Sequence, residues 1–132
     1  MKKTMSILLA AVLLMSIALT AYAASATFTN FTLMNGVNGK QQTPAVVKAT
    51  GNNHSSKTEI TDITGATEAA PMVARVRRGD GSVASTSFDI VEEGPYYQGW
   101  YSGFGYDGDM YYLRMQNTTN GPTIVVSGVF TP

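Results

Sequence analysis

The chain has 132 residues, nine basic and nine acidic side chains, one histidine and no cysteine. That length suits one domain with a modest core. Balanced charge excludes a protein held to nucleic acid by a broad cationic face, and the lack of cysteine excludes a disulfide scaffold or a lipid-modified cysteine anchor.

The N-terminus reads as an export signal. Met1-Lys2-Lys3-Thr4 is cationic, the run from Met5 to Leu19 carries no charge, and small residues follow at Ala21-Tyr22-Ala23. Such a run is short of the roughly 20 apolar residues that span a bilayer. It ends in the small-x-small pattern that signal peptidase cuts. The expectation is a signal peptide over residues 1–23 and a single secreted domain over residues 24–132. Cleavage after Ala23 leaves seven basic against nine acidic residues, a net charge of −2.

The mature region reads as strands and turns. Ala24 to Met34 alternates around Phe28 and Phe31, is rich in threonine and favours an extended chain. Pro44 to Thr50 is a second short candidate. Lys57 to Ile63 is a third, closed by Gly65. Met72 to Arg78 places Met72, Ala74 and Val76 on one face and Val73, Arg75 and Arg77 on the other. Gly79-Asp80-Gly81 then predicts a hairpin into Val83–Val91. Tyr111, Leu113 and Met115 alternate with Tyr112, Arg114 and Gln116, and Thr119-Asn120-Gly121-Pro122 predicts a second hairpin into Thr123–Phe130. About six to eight short strands at this spacing predict an all-β fold, a small antiparallel sandwich or open barrel.

Lys57 onward carries a family resemblance. Thr61-Asp62-Ile63-Thr64-Gly65-Ala66, the turn at Arg78-Gly79-Asp80-Gly81, Leu113-Arg114-Met115-Gln116-Asn117 and the closing Gly128-Val129-Phe130-Thr131-Pro132 resemble small secreted Gram-positive proteins grouped as a domain of unknown function. The resemblance implies a secreted β-rich domain and transfers no active site. Association of such chains with bacteriocin-like genes implies an alternative antimicrobial role.

Chemistry-bearing residues are sparse. His54 stands in a polar loop with no nucleophile elbow anywhere in the chain. Glu92-Glu93 and Asp107-Gly108-Asp109 are neighbours in turns, not carboxylates set facing each other. Asp107-Gly108-Asp109 also lacks the distal glutamate of a calcium loop. Arg78-Gly79-Asp80 reads as hairpin chemistry.

The segment Gly94 to Gly108 is the compositional exception, with Tyr96, Tyr97, Trp100, Tyr101, Phe104 and Tyr106 interleaved with glycines. Flat rings with polar edges suit stacking on sugars or residence at a membrane interface; the same rings also serve as core. The expectation is a non-enzymatic extracellular or cell-surface protein without cofactor. These six aromatics are its binding loop, and cell-wall glycan or a membrane surface its partner.

Overall fold

The computed structural model describes residues 24–36, 39–49, 54–118 and 121–132; the expected signal segment, residues 1–23, lies outside them. The described chain is all-β. Its strands are β1 (Ala26–Leu33), β2 (Gln41–Gln42), β3 (Val46–Val47), β4 (Ser55–Thr64), β5 (Met72–Arg78), β6 (Phe88–Ile90), β7 (Gly94–Gly99), β8 (Met110–Gln116) and β9 (Ile124–Thr131). One antiparallel sheet has the order β1-β9-β4-β7; the other has β2-β8-β5-β6, with β3 also on β8. They form a sandwich, not a closed barrel.

Period-two alternation builds the core. Met72, Ala74 and Val76 of β5 and Tyr111, Leu113 and Met115 of β8 turn inward from one sheet. Phe28, Leu33, Ile60, Ile124, Val126 and Phe130 meet them from the other. Without disulfides, this apolar burial and the strand ladders hold the fold.

Gly128 sits in β9 between two strands that both bulge beside it, β1 between Phe28 and Phe31 and β4 between Ile60 and Asp62. A Cβ at Gly128 would lie 2.3 Å from the Glu59 carbonyl oxygen and 2.8 Å from the Phe28 ring. Only glycine lets the flanking strands approach this closely. In the β1 bulge Asn30 takes a positive φ of 52°, and its N–H donates to Ser127 Oγ at 2.9 Å.

The structure alters the predicted elements in four places. The turn at Gly79-Asp80-Gly81 forms, with Gly81 N–H bonded to the Arg78 carbonyl and Arg77 facing Val83. The second arm, however, is regular only at Phe88–Ile90. Register moves from Arg77–Val83 to Ala74–Phe88 because Ser85 Oγ accepts the Val76 N–H at 3.0 Å where a ladder carbonyl would otherwise do so. The second predicted hairpin does not form: β8 pairs with β2, β3 and β5, whereas β9 pairs with β1 and β4. Each strand buries a full apolar face, so the two stack across the core instead of pairing. Asn117 secures that crossover by donating through Nδ2 to the carbonyls of Leu33 and Pro122. Within the Pro44–Thr50 candidate, whose last residue lies outside the described residues, the described part forms a strand only at Val46–Val47. Finally, the first part of the aromatic segment is no loop: Gly94–Gly99 is an edge strand on β4.

Candidate functional site

The aromatic segment begins on β7 and crosses from one sheet to the other before β8. The strand puts Tyr96 and Tyr97 on opposite faces. Tyr96 is half-buried against the core, 6.3 Å from the Phe88 ring between centroids, and its hydroxyl donates to the Glu92 carbonyl at 3.0 Å. Tyr97, opposite Lys57 on β4, is 65 % exposed.

Beyond β7 the chain folds back on itself. Tyr101 N–H donates to the Ala84 carbonyl at 2.9 Å, and Phe104 N–H to the Tyr101 carbonyl at 3.1 Å. Trp100 and Phe104 pack on the core, and the Trp100 ring centroid lies 4.5 Å from that of buried Tyr111. Gly105 is held beneath the indole at φ +82°; a Cβ there would be 2.5 Å from ring carbons of Trp100. Its N–H donates to the Tyr111 hydroxyl at 2.8 Å, and that hydroxyl faces Asp109. Burial pushes the Tyr111 phenol above its ordinary value, with the Asp109 charge adding to the effect and the Gly105 N–H opposing it. The indole Nε1 is buried with no acceptor in reach.

The six aromatics therefore divide into two sets. Tyr96, Trp100 and Phe104 brace the segment against the core. Tyr101 and Tyr106, at 42 % and 62 % exposure, turn outward as Tyr97 does. A second clasp holds the Tyr106 end: Lys48 N–H donates to the Asp109 carbonyl, Gly108 N–H donates to the Lys48 carbonyl, and buried Lys48 Nζ lies 2.9 Å from Asp107. Exposed Met110 and Val47 pair in register beside this clasp.

The remaining sequence candidates do not assemble into a reaction centre. His54 is exposed at the start of β4. Asp107 and Asp109 are engaged by Lys48 and Arg78. Asp80 is held below the ordinary carboxylate range by hydrogen bonds from the Ser82 hydroxyl and backbone N–H. Among the described residues no three histidine or carboxylate side chains converge as a metal site would require.

A cluster that the sequence shows only in part, in the close run of Arg75, Arg77 and Arg78, lies on the outer face of the second sheet. Arg75 and Arg114 are directly opposed in the β5–β8 ladder, with Gln42 of β2 continuing the row. Together with Arg77 and Lys40 they line one cavity of about 160 Å³. Alternation had placed Arg75 and Arg77, and separately Arg114, on single strand faces. Only the β5–β8 pairing, which the expected hairpin concealed, brings them together.

No family model matches the chain. No curated protein matches it either. Two solved structures are distantly similar. The crystal structure of FLHE is 10 % identical, with a TM-score of 0.44, over 80 % of this chain and 88 % of that one. The EclA C-terminal domain, described as a sugar-binding protein, is 16 % identical, with a TM-score of 0.35, over 83 % and 77 % respectively. Neither likeness is near enough to bear on function.

Proposed function

We propose that the chain is exported, loses residues 1–23, and acts outside the cell as a non-catalytic binding domain. Its contact surface for envelope glycan is the tyrosine set Tyr97, Tyr101 and Tyr106. One observation carries this reading. A single segment packs three partly buried aromatic rings against the core and leaves three others exposed, a concentration of large side chains with apolar faces that suits a contact surface. Tyrosine suits such a surface, since its ring face stacks on the C–H face of a sugar while its hydroxyl keeps the unoccupied surface wetted. Bracing by Trp100 and Phe104 supplies the rigid support that a binding loop needs.

The test uses protein made from the full chain and recovered from outside the cell. Its first residue, read by N-terminal sequencing, is expected to be Ala24; an intact Met1 on cell-retained protein would overturn the export step. Retention on purified cell envelope is then compared with that of the combined Tyr97→Ser, Tyr101→Ser, Tyr106→Ser variant, with circular dichroism as the folding control. Retention is expected to fall by on the order of tenfold, the equivalent of about 1.4 kcal/mol. Equal retention by the folded variant would discard the tyrosine surface.

A further inference from the structure

The charges of the mature chain are segregated. It holds seven basic side chains against nine acidic ones. Three of the seven, Lys48, Lys57 and Arg78, form ion pairs with Asp107, Glu59 and Asp109. The other four, Lys40, Arg75, Arg77 and Arg114, form none among the described residues, and all four line the cavity on the outer face of the second sheet. No carboxylate lines it; Ser87 and Gln116 add neutral polar groups. Asp89, opposite Val73 on β6 and one row from Arg75, makes no ion pair with any of them.

Like charges placed directly opposite in an antiparallel ladder destabilise it, their Cβ atoms being only about 4.5–5.5 Å apart. Arg75 and Arg114 are such a pair. The Nε atoms of Arg75 and Arg77 are buried and have no acceptor. Arg77 is fixed in place, because one of its terminal nitrogens donates to the Gly81 carbonyl at 2.7 Å. The fold thus holds guanidinium donors together, partly desolvated and without their complement, in a domain whose overall charge is negative. The cavity far exceeds the roughly 10–15 Å³ that admits one water.

From this arrangement we propose that the cavity is a phosphate-binding site. Arginine forks recognise oxyanions through paired N–H bonds, and a phosphate group carries several acceptor oxygens. A single carboxylate would offset only one of four positive charges; a doubly or triply charged phosphate group offsets more of them. The site lies apart from the tyrosine surface and stands or falls independently of it.

Isothermal titration calorimetry of the full secreted protein, with sodium pyrophosphate as the probe and sodium acetate as the comparison, tests the site. Saturable pyrophosphate binding, stronger than acetate binding and weakened by on the order of tenfold or more in Arg75→Gln/Arg114→Gln, is the expected result. The triple tyrosine variant is expected to bind pyrophosphate as the parent does. Exposed Lys40 provides a second variant, Lys40→Gln, whose folding does not depend on the ladder; its affinity is expected to fall several-fold. A parallel arm sediments the protein with phosphatidic acid vesicles, whose monoester headgroup presents the multiply charged phosphate. Pelleting that Arg75→Gln/Arg114→Gln abolishes places the phosphate on a lipid, and pyrophosphate binding without pelleting places it on a soluble or polymer-borne group. Absence of binding in both arms, or equal binding by the parent and the arginine variant, would overturn the site.

Discussion

Replacing Gly105 with alanine puts a methyl group against the Trp100 indole, and two separate costs follow. At φ +82° an L-residue sits in the left-handed region, at a cost of about 1–2 kcal/mol. The new Cβ would stand 2.5 Å from indole carbons, so the ring must shift off Tyr111; overpacking of this kind costs about 1–3 kcal/mol. Their sum, about 2–5 kcal/mol, lowers Tm by roughly 8–25 °C for a domain of this size. Gly103→Ala carries the backbone part alone, so the difference between the two variants is the steric part. That glycine also has positive φ, +87°, but nothing lies within 4 Å of the added methyl. Thermal unfolding followed by fluorescence reads the site directly, because Trp100 is the only tryptophan in the chain. Gly105→Ala is expected to lower Tm further than Gly103→Ala and to red-shift the native emission. Equal Tm losses with unchanged emission would refute the bracing role of Trp100.

Gly128→Ala drives a methyl into the Glu59 carbonyl and the Phe28 ring at a bulge on both sides of β9, and urea unfolding is expected to show a loss of about 2–4 kcal/mol. Ser85→Ala leaves the buried Val76 N–H without its acceptor, and the same assay is expected to show a loss of about 1–3 kcal/mol. The raised Tyr111 phenol gives a pH dependence. An unfolded chain releases this proton near pH 10.0 while the folded chain keeps it, so the contribution is intact below that value and lost as pH rises through the folded one. Stability measured across the alkaline range is expected to fall less steeply in Tyr111→Phe than in the parent; identical slopes would contradict the burial of that hydroxyl.

The strand faces were legible in the sequence because alternation is a local signal. Met72–Arg78 was bounded correctly, and the inward side of β8 followed from Tyr111, Leu113 and Met115. Strand partners were not legible. A turn sequence at 119–122 between two alternating runs looks the same whether the runs pair or stack across a core, and Asn117 bonding to Leu33, 84 residues away, leaves no local trace. The cationic cavity was hidden for the same reason, since Arg75 and Arg114 meet only through that pairing. The aromatic segment was visible as composition. Its division was not, because Tyr96 and Tyr97 differ only in strand parity, and Trp100 points inward through the positive φ at Gly105 and the close approach that glycine permits.

Assigned aromatic resonances, followed by NMR while soluble envelope glycan fragments are titrated into the protein, test the division of labour most directly. Shifts at Tyr97, Tyr101 and Tyr106, with the Trp100 indole and Tyr111 ring left in place, are the expected result. An undisturbed tyrosine set, or a response dominated by Trp100, would contradict it.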